Sequence, residues 1–318
     1  MRKVLFAAAM AGVLASPALA ADITVGVTSI VEHPALDAAR DGIKEALAAA
    51  GYKDGENGFH FLFETAQGKP DIAAQIARKY VGDGVSIIVP ISTPSAQGAV
   101  AATKDIPIVF TAVTDPVAAQ IVPSLSHPGG NVTGISDMSP IAEHLALIKE
   151  ITPNAKKVGV VYNPGEANSV VLVARLKELA GPAGLEIVES AATKSGEVQQ
   201  ATLALVGKVD VIYIPTDNTV VSALEAAVAV AVENKIPLYA GDTDSVPRGA
   251  MAAIGFNYHD VGVETGKIVA RVLKGEKPGD IDVSFATGTN LVVNKGAASK
   301  YGVKIPDSVL QRAGQVIE

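Results

Sequence analysis

Six clusters of polar residues, each placed after a short apolar run, could bind a small charged molecule. In an open parallel sheet, ligands bind at the carboxyl ends of the strands, where helix N-termini present unpaired amides. Three of the clusters lie in the first half of the sequence and three in the second half. The six clusters are Thr28-Ser29 with His33, Ser92-Thr93-Pro94-Ser95, Thr111 with Thr114-Asp115, Asn163 to Ser169, Thr216-Asp217-Asn218, and Asp242 with Asp244.

Three hydroxyls surround Pro94 at the predicted start of a helix. Proline loses nothing at the first helical position, so Thr93 is expected to be the cap and Pro94 the first helical residue. Capping accounts for one hydroxyl only. Several hydroxyls beside free helix amides would suit a carboxylate, since the helix dipole also favours negative charge. Two interpretations of Ser92, Thr93 and Ser95 therefore remain, helix capping alone or binding of a ligand carboxylate.

Acidic groups dominate the clusters of the second half. Asp217 and Asn218 open a predicted helix, so capping is an alternative role there, and Glu166 with Ser169 follows a Pro-Gly turn. Carboxylates on one side and hydroxyls on the other would suit a zwitterion, with the ammonium facing Asp217. A buried ligand charge needs such partners, because an unpaired charge costs several kcal/mol on desolvation. The pattern predicts an amino acid as the ligand.

Enzyme motifs fail in this sequence. There is no G-x-S-x-G elbow and no cysteine, and the five histidines lack the spacing of a zinc helix. The segment from Gly262 to Lys267 resembles a phosphate-binding loop, but it is one residue short and no Ser or Thr follows the lysine. Asp242 and Asp244 could ligate a hard cation, but two acids in one loop are more often solvated or capping. We therefore predict a binding protein that is not an enzyme, with no metal and no cofactor.

The first twenty residues have the pattern of a signal peptide. Arg2 and Lys3 precede the apolar run Leu5 to Leu14, and Ala18-Leu19-Ala20 supplies the small residues of a cleavage site. We expect cleavage after Ala20, with a retained anchor as the alternative. No later run is long and apolar enough to span a membrane. Since a lipid anchor would require cysteine, we predict a monomeric periplasmic protein that is not a lipoprotein and does not insert into the membrane.

The charge of the mature chain argues against a nucleic-acid partner. Without Arg2 and Lys3, the chain has 24 basic and 33 acidic residues, a formal net charge of −9. A phosphate backbone would require a basic patch, and no run of lysines and arginines is present. We therefore expect a small molecule as the ligand.

Short β-branched runs alternate with alanine-rich stretches of helical spacing, which is typical of βαβ units. Phe59, Phe61 and Phe63 alternate along one strand, so their rings share one sheet face and are expected in the core. A first series predicts strands at Ile23 to Val27, Phe59 to Phe63, Ser86 to Val89 and Pro107 to Phe110, with helices over Pro34 to Ala50, over Pro70 to Tyr80 and from Pro94. A second series predicts strands at Val158 to Tyr162, Leu185 to Val188, Val209 to Ile214 and Pro237 to Tyr239, with helices over Ala167 to Leu179, Glu197 to Val206 and Val220 to Glu233.

The two series predict an α/β protein of two doubly wound, parallel-sheet lobes. Prolines and glycines crowd between Pro123 and Gly130, so the first crossing between lobes is placed there. The expected N-terminal lobe is 21–130 with a return segment at about 256–282. The expected C-terminal lobe is 131–255 with the tail at about 283–318.

The order and spacing of several loops resemble the ABC-transporter substrate-binding family that includes the tryptophan and tyrosine binders. The loops are Glu32-His33-Pro34-Ala35-Leu36-Asp37, Thr114-Asp115-Pro116-Val117, Tyr162-Asn163-Pro164-Gly165-Glu166 with Asn168-Ser169, and Pro215-Thr216-Asp217-Asn218-Thr219. The resemblance implies a type I periplasmic-binding-protein fold whose lobes close on the ligand about a hinge.

The family resemblance also implies which residues bind and what they bind. With Ser29 from the first cluster, the expected ligand-binding residues are Ser92, Thr93, Ser95, Thr114, Asp115, Glu166, Ser169, Asp217, Asn218 and Asp242. The implied ligand is an aromatic or large apolar amino acid, delivered to an ABC transporter permease. A sensory protein that serves a chemoreceptor or histidine kinase, or a binder of another small carboxylate, is the alternative.

Overall fold

The computed structural model describes residues 22–318, and the predicted signal peptide lies outside the described residues. The chain begins with β1 Ile23–Ser29, α1 Pro34–Ala49, β2 Phe59–Thr65, α2 Pro70–Gly82, β3 Ile87–Ile91, α3 Thr93–Ala102, β4 Ile108–Val113 and β5 Val132–Ser136. It continues with α4 Ile141–Ile151, β6 Lys157–Tyr162, α5 Ala167–Ala180, β7 Glu186–Ala191, α6 Val198–Leu203, β8 Val211–Ile214, α7 Asn218–Val221, α8 Leu224–Glu233, β9 Leu238–Ala240 and β10 Ala252–Gly255. It ends with α9 Tyr258–Leu273, β11 Ser284–Phe285, β12 Asn290–Asn294, α10 Lys295–Tyr301, α11 Asp307–Arg312 and β13 Gln315–Ile317.

The strands form two sheets, each the centre of one lobe. The order of the first sheet is β11-β5-β4-β3-β1-β2, and that of the second is β13-β12-β10-β9-β8-β6-β7. Every described pairing is parallel except that of β10 with β12. The order reverses between β1 and β3 in the first lobe and between β6 and β8 in the second. The predicted fold class of two doubly wound lobes is thus confirmed, and each reversal marks a site where ligands bind in such sheets.

The predicted first crossing at residue 130 is corrected by the structure. Strand β5 pairs with β4, from Ile108 opposite Val132 to Val113 opposite Ser136, so residues 132–136 belong to the first lobe. The segment rich in proline and glycine is a loop within that lobe. Such residues mark a turn in the chain, but they do not indicate whether the next strand stays in the same sheet.

The chain returns to the first lobe after β10. Helix α9 packs closely against α1. Gly262 makes this possible, because a Cβ at that position would lie only 2.0 Å from the carbonyl oxygen of Ala39. Strand β11 then pairs with β5, so the chain leaves the first lobe after residue 285 and not at 283. The chain therefore passes between the lobes three times, at residues 137–140, 256–257 and 286–289.

Each lobe has its own apolar core on its sheet. Phe59 belongs to the first-lobe core as predicted, whereas Phe61 and Phe63 are only partly buried and pack against it. The lobes also meet each other, since α3 of the first contacts α5 of the second and Ala167 packs against the first-lobe core. Within residues 22–318, every helix is too short or too polar to cross a bilayer.

Candidate ligand-binding cleft

A cavity lies between the lobes at the carboxyl ends of the strands. Both lobes and the first crossing segment, through Asp137, contribute to its wall. The lining residues are His33, Ala35, Leu36, Ala112, Thr114, Asp137, Asn168, Thr216, Asn218, Val221, Asp242 and Tyr258.

The turn from β3 into α3 has a backbone that ordinary residues rarely adopt. Ser92 has φ 82° and ψ 159°, a region that otherwise belongs to glycine and costs on the order of 1–3 kcal/mol. The expected cap at Thr93 is corrected, because Ser92 takes the cap position and Thr93 already belongs to the helix; the Ser92 side chain makes no capping bond. Ala112, which lines the cavity at the end of β4, also has a positive φ of 53°. Such strain is concentrated at functional sites.

Four buried hydroxyls of the first lobe are unpaired, although none of the four residues lines the cavity itself. The side chains of Thr28, Ser92, Thr93 and Ser95 are at most 2% exposed, and their hydroxyls have no hydrogen-bond partner within the part of the chain that the structure describes. Thr28 is the second-last residue of β1, Ser92 caps α3, and Thr93 and Ser95 lie in its first turn, so all four lie at the reversal between β1 and β3. Buried hydroxyls normally find partners, and these four have the chemistry to donate to an anion beside the α3 amides.

Two buried carboxylates line the cavity from other directions. Asp137 lies on the first crossing segment and accepts hydrogen bonds from the Tyr258 hydroxyl at 2.6 Å and the Thr114 hydroxyl at 3.4 Å. Asp242 follows β9 and accepts bonds from the amide and hydroxyl of Ser245 at 2.8 and 2.7 Å. Burial raises the pKa of both carboxyls. A cation in the cavity would stabilise their charged forms.

The carboxylates of Glu166 and Asp217 are fully engaged within the second lobe. Glu166 accepts five hydrogen bonds, two from Asn218, two from Thr219 and one from Asn168. Neither acid lines the cavity. The sequence-based expectation that they face a ligand ammonium is therefore not what the structure shows.

Asp217 is the N-cap of α7. Its carboxylate accepts bonds from the amides of Val220 and Asn163 at 2.8 and 2.6 Å and from the Ser169 hydroxyl at 2.6 Å. Burial, followed by the charge of Glu166, raises the pKa of Asp217 to about 7. Asp217 and Ser169 thus hold the loops after β6 and β8 together and present Asn168, Thr216 and Asn218 to the cavity.

The other predicted residues divide between the cavity and local structure. Thr114, Asn218 and Asp242 line the cavity. The hydroxyl of Ser29 instead donates to the carbonyl of Val31 at 2.8 Å, and the Asp115 carboxylate accepts from the amides of Val117 and Ala118 at 3.1 and 2.9 Å. These two side chains shape turns and do not line the cavity.

Sequence reasoning missed Asp137 and Tyr258 because both lie where the chain leaves or re-enters a lobe. Asp137 directly follows β5, so it would have been a candidate binding residue if that strand had been assigned to the first sheet. His33 and Thr216 were in the candidate clusters but not among the expected binding residues. Among the described residues, no group of three or more His, Asp or Glu side chains could hold a metal ion.

The comparison with known proteins agrees with this geometry. The family model described as "ABC transporter substrate binding protein" matches residues 24–317. The chain is 46% identical over 271 residues to the tyrosine-binding protein of Clostridioides difficile (strain R20291), covering 85% of this chain and 78% of that protein.

Two solved structures bear on the arrangement of the lobes. The ABC domain from Streptococcus pneumonia in complex with L-Trp is 39% identical and covers 93% of this chain and 100% of its own, with a TM-score of 0.90. The ligand-free, open structure of a substrate binding protein with adhesive properties from Clostridium difficile is 43% identical and covers 93% of this chain and 99% of its own, with a TM-score of 0.69. The two relatives are about equally similar to this chain in sequence, but the L-Trp complex superposes better than the open structure, with TM-scores of 0.90 and 0.69. The lobes of this chain are therefore arranged as in the ligand-bound relative.

Proposed function

This chain belongs to the family of ABC transporter substrate-binding proteins, and we propose that it binds an aromatic α-amino acid between its lobes for uptake by an ABC importer. The prediction that it is not an enzyme is confirmed by the family. The observation that carries the choice of ligand is a cavity with paired carboxylates and an apolar wall, in a fold whose first lobe also has four unpaired buried hydroxyls at one sheet edge.

The carboxylate of the amino acid is assigned to the start of α3. The hydroxyls of Thr93 and Ser95 can donate to it there, together with the amides of the first helical turn. A buried carboxylate with several such donors regains the hydrogen bonds that it loses on leaving water. The strained backbone of Ser92 fits this role, since the surrounding structure holds a costly conformation at the turn.

The ammonium is assigned to Asp137 and Asp242. Both carboxylates line the cavity, and each oxygen that already accepts one hydrogen bond can accept another. Asp217 is not assigned this role, because its oxygens already accept three bonds within the second lobe. The ammonium would make both partners charged in the complex, against the effect of burial alone.

The apolar wall suits a large side chain. Ala35, Leu36, Ala112 and Val221 line the cavity, two of them from the start of α1 and one from each of β4 and α7. Small residues leave room where a ring would lie. The relatives support an aromatic ligand, since one is named a tyrosine-binding protein and another was solved in complex with L-Trp.

The proposed place of action is the periplasm, with an ABC permease as the partner. The proposal is supported by the family and by the pattern of Arg2, Lys3 and the apolar run after them. N-terminal sequencing of protein purified from the periplasmic fraction should give Ala21 as the first residue. Recovery of the full-length chain from the membrane fraction would contradict this location.

Titration calorimetry of refolded, ligand-stripped protein tests the ligand. We expect L-tyrosine or L-tryptophan to bind, and tyramine and 3-(4-hydroxyphenyl)propionate, which lack the carboxylate and the ammonium, to bind at least about tenfold more weakly because one buried site loses its partner. The chain has no tryptophan, so the emission of bound L-tryptophan gives a second readout. Absence of binding by every aromatic amino acid would refute the ligand class, and tight binding of tyramine would refute the carboxylate site.

A further inference from the structure

The side chain of His33 is a buried polar group of the cleft that recognition of an ammonium and a carboxylate leaves unused. His33 is the N-cap residue of α1, with an extended backbone and a carbonyl that accepts the amide of Asp37 at 3.0 Å. The residue is 9% exposed and lines the cavity. Its Nδ1 atom has no hydrogen-bond partner anywhere in residues 22–318.

The other buried histidine provides a contrast. His144 is also buried, in the second lobe, and both of its ring nitrogens are paired, Nδ1 with the Tyr213 hydroxyl and Nε2 with the carbonyl of Ile254, each at 2.7 Å. Because a carbonyl can only accept, Nε2 of His144 carries the proton and Nδ1 accepts from Tyr213. Pairing is thus what this fold provides for a histidine with a structural role, and His33 lacks it at Nδ1.

The His33 ring is neutral at physiological pH. Burial, and then the positive charge of Arg248 in the second lobe, lowers its pKa to about 3. Arg248 is held in place by two 2.8 Å bonds to the Glu225 carboxylate and one to the carbonyl of Val221, a residue of the cavity wall. A neutral imidazole has one nitrogen that donates and one that accepts, so His33 can accept a hydrogen bond from a ligand.

The neighbours of His33 indicate which part of the ligand it meets. Ala35 and Leu36 follow it on α1, and Val221 faces the cavity from the second lobe. These apolar residues offer no partner for a ligand charge. A ring bound against them would bring a polar group on its edge toward the only imidazole among the lining residues, and the nearby Arg248 charge disfavours a cationic side chain.

We propose that His33 sets the preference of the cleft among aromatic amino acids by accepting a hydrogen bond from a donor on the ligand ring, the phenolic O–H of tyrosine or the indole N–H of tryptophan. Phenylalanine fills the same apolar wall but leaves His33 unpaired. A site built to hydrogen-bond a ligand group rejects the analogue that lacks it, because the polar atom of the protein then stays buried without a partner. This inference rests on the proposed function of amino-acid binding.

The experiment compares three ligands and three proteins by titration calorimetry. For the wild type, we expect L-tyrosine or L-tryptophan to bind about tenfold or more tightly than L-phenylalanine, the ratio that one neutral hydrogen bond at the upper end of its range gives. His33→Phe keeps a ring of similar size without an acceptor, and it should reduce this ratio to below about threefold. His33→Asn keeps an acceptor close to the position of Nδ1, and it should retain part of the preference.

The possible outcomes distinguish a failure of the role of His33 from a failure of the proposed amino-acid binding. If none of the three amino acids binds the wild type, the proposed ligand class fails and the role of His33 fails with it. If all three bind the wild type equally, or if His33→Phe weakens all three by the same factor, amino-acid binding stands and the selective role of His33 is refuted. A preference that is lost in His33→Phe and partly restored in His33→Asn would support it.

Discussion

Replacement of Thr93 by valine tests whether the unpaired hydroxyls are the carboxylate site. Threonine and valine have the same shape, so the change removes one buried hydroxyl and leaves the packing of α3 in place. Thr93 is 1% exposed and its hydroxyl has no partner among the described residues, so the folded protein without ligand loses no hydrogen bond. Burying an unpaired hydroxyl costs about 1–3 kcal/mol, so the free energy of unfolding without ligand should stay the same or rise by about 1 kcal/mol.

The complex should respond in the opposite direction. A hydrogen bond to a charged group contributes about 1.5–3 kcal/mol, so Thr93→Val should weaken the binding of L-tryptophan roughly 10- to 150-fold. Calorimetry gives the dissociation constant, and urea unfolding monitored by circular dichroism gives the stability without ligand. Together they would show a protein that is no less stable and binds less well.

Thr202→Val is the matched control. Thr202 is fully buried in α6 of the second lobe, and its hydroxyl donates to the carbonyl of Val198 at 2.7 Å. Removing this paired hydroxyl should lower the free energy of unfolding by about 1 kcal/mol and leave the affinity unchanged. If Thr93→Val behaves as this control should, with lower stability and unaltered affinity, the carboxylate is not held at the start of α3.

Four further predictions concern the acidic groups and the hydroxyl that pairs with one of them. Asp242→Asn should weaken amino-acid binding at least about tenfold by calorimetry, because the ammonium loses a charged partner. Asp217→Asn should weaken binding less and should lower the free energy of unfolding instead. The reverse ranking of the two affinities would refute the assignment of the ammonium to Asp242. Tyr258→Phe leaves one Asp137 oxygen without its 2.6 Å donor and should weaken binding by about three- to tenfold, whereas an unchanged dissociation constant would mean that Tyr258 does not position Asp137. Glu166→Ala leaves five donated hydrogen bonds without an acceptor and should lower the urea-unfolding free energy by about 3–5 kcal/mol, which a loss below about 1 kcal/mol would contradict. The folded-state pKa of Asp217 is raised to about 7, so between about pH 4 and 7 the folded protein keeps a proton that the unfolded chain releases. The stability of the wild type relative to Asp217→Asn should therefore fall as pH rises from about 4 to 7 and level off above it. A relative stability that rises over this range would overturn the raised pKa.

The alternation of strands and helices could be read from the sequence because each element carries its own local signal. Phe59, Phe61 and Phe63 show the period of a strand, and the residues after each strand mark the edge where a ligand binds. The assignment of strands to lobes could not be read in the same way. Val132–Ser136 has the same composition whichever sheet it joins, and only its pairing with β4 decides the lobe.

The polar residues of the site illustrate a second limit of the sequence. Asp217 and Asp242 both follow a strand and both cap a short helical turn, so their sequence contexts are alike. The structure separates them, because Asp217 accepts from three donors of its own lobe, in the β6–α5 loop, α5 and α7, whereas Asp242 also faces the cavity. Which carboxylate remains available depends on partners far away in the chain, and spacing within one loop does not contain that information.

The three passages between the lobes determine when the protein can fold. Helices α1 and α9 pack together although they begin at residues 34 and 258, so the first lobe lacks one of its helices until most of the chain has been synthesised. Domains usually fold one after another as they emerge from the ribosome, and contacts this distant in sequence slow folding. The N-terminal 136 residues expressed alone would expose the surface of α1 that α9 covers, and a fragment that ends at β10 would expose it too. A chain with this connectivity cannot complete its first lobe until α9, which ends at Leu273, has been synthesised.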